Sequence, residues 1–163
     1  MSPFRWLNLF ALVGFSALAQ NHAVSLDLRG PVSYMKGSNN SKGFYFGYSL
    51  AYHYRLAEQH QAGAAIHADQ RDGTANFGFR LDYVYNFSAD LARSYFAGAA
   101  LGAGVTQQGE DDEAGVFGEV LFSGGRRFAL TDSLVYQPSV YLQLRTDSTL
   151  DLGVQALSLG WFF

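Results

Sequence analysis

Along much of the chain, apolar residues recur at every second position, the pattern of a β-strand with two unlike faces. Phe44, Phe46, Tyr48, Leu50, Tyr52, Tyr54 and Leu56 share one parity, against Tyr45, Gly47, Ser49, Ala51, His53 and Arg55. Ala75, Phe77, Phe79, Leu81, Tyr83, Tyr85 and Phe87 repeat it against Asn76, Gly78, Arg80, Asp82, Val84 and Asn86. So do Leu134, Tyr136, Pro138, Val140, Leu142 and Leu144 against Gln137, Ser139, Gln143 and Arg145. Weaker copies start at Val24, Ala62, Tyr95 and Val116. The last segment changes parity between Leu150, Leu152, Val154 and Leu157, Leu159, Trp161, Phe163, so a bulge or register change is expected near Gln155-Ala156. If the sixth strand runs to Leu130, Arg126 points outward, and Gly124-Gly125 is expected to kink or bulge. The pattern predicts eight strands.

The links between strands alternate in kind. Those at 36–42, 106–113 and 145–149 are polar and irregular, and Arg71-Asp72-Gly73 belongs with them. The other three are small turns after an apolar-x-apolar strand end, at Leu56-Ala57-Glu58, Phe87-Ser88-Ala89-Asp90 and Leu130-Thr131-Asp132-Ser133. This is a repeated hairpin, which predicts an antiparallel up-and-down sheet.

An eight-stranded closed sheet has an interior just wide enough for side chains, too narrow for the large residues of the second and fourth strands. Turned outward, those residues make a lipid-facing band, and the small and polar residues fill the interior. Strands of about 9–11 residues tilted by about 45° span a bilayer, and closure leaves no unpaired edge in lipid. The expected fold is therefore an all-β, eight-stranded antiparallel transmembrane barrel.

Two domains of use are expected. Residues 1–19 read as a cleavable signal peptide: Arg5 is the only charge, Trp6 to Leu18 is largely apolar, and Ala17-Leu18-Ala19 supplies small residues for cleavage after Ala19. That apolar run is shorter than the roughly 20 residues of a membrane-spanning helix. Residues 20–163 form the barrel domain.

Composition narrows the classes. The 163 residues carry no cysteine, which excludes disulfide scaffolds, Cys-ligated metals and thiol catalysis. A net charge of −3 with scattered Lys and Arg offers no footprint for nucleic acid. No cofactor or metal is expected.

The chain ends Leu157-Ser158-Leu159-Gly160-Trp161-Phe162-Phe163, apolar at alternate positions and closing on an aromatic. This resembles the C-terminal signal of Gram-negative outer-membrane barrels, with Trp161 and Phe163 as the residues their assembly machinery reads. Together with the leader and the hairpin repeat, the chain resembles the small OmpA/OmpX-type barrels over residues 20–163. The resemblance implies a bacterial outer-membrane location with porin-like architecture, termini and the three similar turns in the periplasm, and polar links at the cell surface. Outer-membrane lipid, lipopolysaccharide and the assembly machinery are the implied partners.

Candidate chemistry lies on the inner parity. Asp27, Arg29, Arg80, Asp82 and Glu119, with Arg55, His53 and His67, form a polar network, Arg80 and Asp82 being expected within reach of Glu119. Charges in a narrow interior pair or are hydrated; they could gate a pore, and the expectation is a salt-bridged filling. Some outer-membrane barrels modify lipid A with a His, Ser and acid set, and known deacylases place His and Ser two apart on one strand. Here His67 is followed by Asp69, so no catalytic residue is expected. Glu110-Asp111-Asp112-Glu113 lacks the spacing of a calcium loop and reads as solvated. Gly102-Ala103-Gly104 lacks a phosphate-loop spacing and reads as a crowded wall. Asn39-Asn40-Ser41 and Asn86-Phe87-Ser88 match a glycosylation sequon that a bacterial chain rarely uses. The expected role is structural or surface contact, with a narrow pore and a lipid A-modifying enzyme as the alternatives.

Overall fold

A computed structural model describes residues 21–29, 34–36, 45–71, 74–108, 114–147 and 150–163. The expected leader with Ala19, the acidic tip at 110–113 and the sequon at 39–41 lie outside the described residues. The strand segments are β1 (His22–Arg29), β2 (Tyr34–Lys36), β3 (Tyr45–Ala57), β4 (His60–Arg71), β5 (Thr74–Asn86) and β6 (Tyr95–Gln108). They continue with β7 (Gly115–Arg126), β8 (Phe128–Ala129), β9 (Leu134–Tyr136), β10 (Ser139–Arg145), β11 (Leu150–Gln155) and β12 (Leu157–Phe162). One 3-10 turn, Leu91–Arg93, sits between β5 and β6. No helix of the described residues is long and apolar enough to cross a membrane.

All twelve segments belong to one sheet, and every pairing in it is antiparallel. β1 lies between β3 and β12, so the first and last long segments are hydrogen-bonded to each other. Beyond them, His22 N–H donates to the Phe163 carbonyl at 3.0 Å and Phe163 N–H to that of His22 at 2.9 Å. The sheet's two chain ends therefore satisfy one another's backbone groups.

The segment count is twelve where eight strands were expected, because three expected strands are each split in two and β2 is a further short segment. The sixth breaks at Arg127 and the seventh at Gln137 and Pro138. Both breaks have one cause. Arg126 N–H donates to the Pro138 carbonyl at 3.3 Å, but Pro138 has no N–H to return. Register is unchanged across this gap, since Val140 faces Gly124 on one side and Tyr136 faces Phe128 on the other with the same offset. The kink or bulge expected at Gly124-Gly125 is thus absent. Gly125 is required for close approach instead: a Cβ there would lie 2.2 Å from the Pro138 carbonyl oxygen. The eighth strand breaks at Ala156 as its parity change required. Val154 faces Val140, whereas Leu159 faces Tyr136, an offset of one residue that lets Leu152 and Trp161 share the outer face despite opposite parity.

The two faces follow the sequence parity. Tyr48, Leu50, Tyr52, Phe77, Phe79, Leu81 and Leu101 are exposed on the outer face, with Leu101 at 66 %. Ser49, Gln61 and Asn86, on the inner face, are at most 1 % exposed. This inverts the arrangement of a water-soluble protein, in which large apolar groups are inside and polar groups outside.

Candidate functional site

The inner face holds the charged and amide side chains in rows that run across the strands. On β5, Arg80 faces Gly102 of β6, and Gly102 in turn faces Glu119 of β7. The missing side chain at Gly102 lets the flanking residues meet, with Arg80 Nε 3.9 Å from Glu119 Oε1. His53 of β3, Gly63 of β4 and Asp82 of β5 form a second such row, with His53 Nε2 3.7 Å from Asp82 Oδ2. His67 of β4 faces Gly78, whose added Cβ would lie 2.4 Å from the His67 ring. That space lets His67 Nε2 approach Glu119 Oε1 to 3.4 Å. Gln143 of β10 donates its amide N–H to Glu119 Oε2. His67, Arg80 and Glu119 are each buried.

Toward the polar links, Asn76 donates to Asp69 Oδ1 at 2.7 Å and accepts from Thr106 Oγ1 at 2.7 Å. Arg145 Nη2 donates to Asn76 Oδ1 at 3.1 Å and Thr106 Oγ1 at 3.0 Å, and pairs with Asp147 at 2.6 Å. Its guanidinium lies 3.6 Å from the centre of the Phe117 ring. Tyr141 donates to Asp151 Oδ2 at 3.1 Å.

At mid-depth, Asp27 accepts from Ser49 at 3.1 Å and from Ser158. A cavity of about 80 Å³ lies beside Asp27, Ser49, His53, Arg80, Asp82 and Arg127. It is large and polar enough to hold water, which needs only about 10–15 Å³ of such volume per molecule.

At the opposite end, where β1 begins and β12 ends, Arg127 is buried. Its guanidinium donates to Gln61 Oε1 and Gln137 Oε1, each at 3.2 Å, to Asn86 Oδ1, and at 3.4 Å to the Leu91 carbonyl. The Phe96 and Phe162 rings lie 4.9 and 5.4 Å from it. The 3-10 turn folds Leu91 into an apolar cluster with Ala23, Val135 and Phe162. Asp90 caps that turn through its side chain, accepting from Ala92 N–H at 3.2 Å.

The residues singled out from sequence are therefore dispersed over several depths. Arg80 and Glu119 meet. Asp82 does not reach Glu119 as expected; it faces Gly63 and pairs with His53, because two positions along a strand already separate it from Arg80 by about 6.6 Å. Asp27 is held by two serine hydroxyls. Arg29 lies in β1 opposite Gly47, and its side chain is outside the described residues. Trp161 is exposed on the outer face of β12, and Phe163 stacks on His22 with ring centres 5.8 Å apart. Arg127 was not singled out, although its parity, opposite to that of Arg126, points it inward. The Leu91 cluster has no periodic signal at all.

Chemically, the array can neutralise charge and hold water. Ser49 and Ser158 direct their hydroxyls to Asp27 rather than to the His53–Asp82 pair. Among the described residues, no three His, Asp or Glu side chains converge to hold a metal.

No family model matches the chain, and no curated protein matches it. Solved structures do. Neisserial surface protein A aligns with a TM-score of 0.67 at 12 % identity, covering 87 % of this chain and 97 % of that one. The N-terminal β-barrel domain of Pseudomonas aeruginosa OprF gives 0.63 at 16 % identity, with 90 % and 100 % covered. The attachment invasion locus protein Ail of Yersinia pestis gives 0.59 at 14 % identity, with 89 % and 100 % covered. At such identities the common property is the fold alone.

Proposed function

We propose that residues 20–163, exported by the leader at 1–19, form an eight-stranded barrel that spans a bacterial outer membrane, has a structural or surface-contact role, and has its interior closed by its own side chains. One observation carries this reading: the large apolar residues face outward around the sheet, while the inner face buries charged and polar side chains such as Arg80, Glu119, Arg127, Gln61 and Asn86. In water, each exposed apolar Å² would cost about 25 cal/mol, so an apolar surrounding is what makes this distribution favourable. Joined across the breaks at Arg127, Gln137–Pro138 and Ala156, and with β1 and β2 taken together, the segments number eight, each with two neighbours. Such closure satisfies the backbone within lipid. The resemblance of the last strand to the family's assembly signal supports Trp161 and Phe163 as the residues read by the assembly machinery and periplasmic termini. The surface-contact role draws on the names of two neighbours, a surface protein and an attachment invasion locus protein.

The test is to refold residues 20–163 in detergent, float them with liposomes, and record from a planar bilayer. Co-flotation without current is the expected result. Discrete current steps would replace closure with the second reading, a narrow pore, which the hydratable cavity between Arg80 and Arg127 favours. Failure to float would overturn the membrane assignment.

A further inference from the structure

We propose that the outer wall carries a binding site for a single phospholipid at Arg126, with the lipid phosphate on the guanidinium and an acyl chain in the groove beside it. The proposal rests on the membrane-spanning reading and adds a defined ligand to it. A shallow, open groove on the outer wall is lined by Phe87, Tyr95, Phe96, Ala97, Gly125 and Arg126. Beside it, the outward positions Ala97 and Gly124 face each other across β6 and β7, two register pairs from Tyr95 and Arg126.

The wall does not demand the glycine at 124. A Cβ at Gly124 would meet nothing closer than the Phe96 carbonyl oxygen at 3.7 Å, whereas at Gly125 it would meet Pro138 O at 2.2 Å. Glycine at 125 is imposed by backbone contact; glycine at 124 leaves open space on the lipid side.

At the edge of that space stands a cation already held in position. The Arg126 guanidinium lies 5.0 Å from the Tyr95 ring centre and 5.0 Å from that of Phe128, and donates to Tyr95 Oη at 3.3 Å. A guanidinium has five N–H donors, so this single bond leaves others for a ligand. The ion pairs among the described residues do not include Arg126. Other polar rings of the wall are engaged with one another: His22 Nδ1 lies 2.6 Å from Tyr52 Oη, and His60 Nδ1 is bonded to Tyr83 Oη. An exposed cation at the rim of an apolar groove complements a molecule with an anionic head and an apolar tail. Arginine suits a phosphodiester because its fork can bond two phosphate oxygens at once. The groove is at the end of the sheet where β1 begins and β12 ends, so in the proposed orientation it opens on the periplasmic leaflet, and a glycerophospholipid is the occupant.

The full mature chain refolded in a maltoside detergent tests this, with dimyristoyl phosphatidylglycerol as the probe and native mass spectrometry counting retained lipid. The wild-type chain is expected to retain one phosphatidylglycerol. Arg126→Gln is expected to weaken retention at least tenfold, and Gly124→Phe, which sets a ring opposite Ala97 at the groove's side and keeps the cation, to do the same. Dimyristoylglycerol, which lacks the phosphate, is expected not to be retained. Undiminished retention by either variant, or equal retention of dimyristoylglycerol, would overturn the site. A wild-type chain that floats with liposomes yet retains no phosphatidylglycerol overturns the site alone; one that fails to float removes the membrane reading beneath it.

Discussion

The two ends of the interior are filled by different chemistry. At the end with the polar links, Glu119 faces Arg80 and His67, and Arg145 pairs with Asp147, so charge is answered by charge. At the end where β1 begins and β12 ends, one cation, Arg127, is answered by neutral amide oxygens, a backbone carbonyl and two aromatic rings, over an apolar cluster around Leu91. The contrast teaches that a narrow interior can hold an arginine in two ways. Where glycine leaves a gap in the intervening strand, an acid two strands away reaches it. Where Asn86, Gln61 and Gln137 converge, charge-assisted hydrogen bonds from neutral groups replace the acid.

The largest expected effect comes from breaking the charged end. Glu119→Leu leaves buried Arg80 without its carboxylate and should lower stability by about 3–5 kcal/mol, read as a fall in the urea midpoint of the liposome-embedded protein. A loss under about 0.5 kcal/mol, the usual scale for an indifferent surface change, would show that the pair adds nothing. Arg127→Met at the other end removes the donor shared by Asn86, Gln61 and Gln137; at about 1–3 kcal/mol per orphaned buried group, with cavity water offsetting part, a loss of about 3 kcal/mol is expected in the same assay. Leu91→Ala should cost about 2 kcal/mol, the low end for a buried leucine, and leave the charged end untouched. Tyr141→Phe, which removes the donor to Asp151, should cost about 1 kcal/mol. Conductance sharpens the comparison without stability: Glu119→Gln and Arg127→Met each leave the opposite end closed, so each should stay silent in a planar bilayer. Current from one alone would identify that end as the only seal.

How much could be read in advance differs from element to element. The outward residues of β3 and β5 were legible because side chains alternate with a period of two and nothing interrupts either strand. The break at Ala156 was legible for the same reason: apolar parity cannot switch without an extra residue. The break near Arg126 was misplaced, because two adjacent glycines suggested a bulge whereas the interruption comes from Pro138 on the neighbouring strand. In the interior, the Arg80–Glu119 pair was anticipated and the partner of Asp82 was not. Which acid meets which base depends on the residue between them on the intervening strand, and that register is a long-range property.

The amino-acid sequence alone determined which side chains face which way, because that depends only on local strand geometry and on a wall with one apolar side. Tertiary structure alone decided the partners: Asp82 with His53, Arg127 with three amides, Leu91 tucked against Val135 and Phe162. Those contacts join segments far apart in the chain and exist only once every neighbouring strand is in register. A hydrogen bond or ion pair is lost within a shift of about one residue, roughly 3.3 Å, whereas the inward or outward sense of a side chain survives any shift by two.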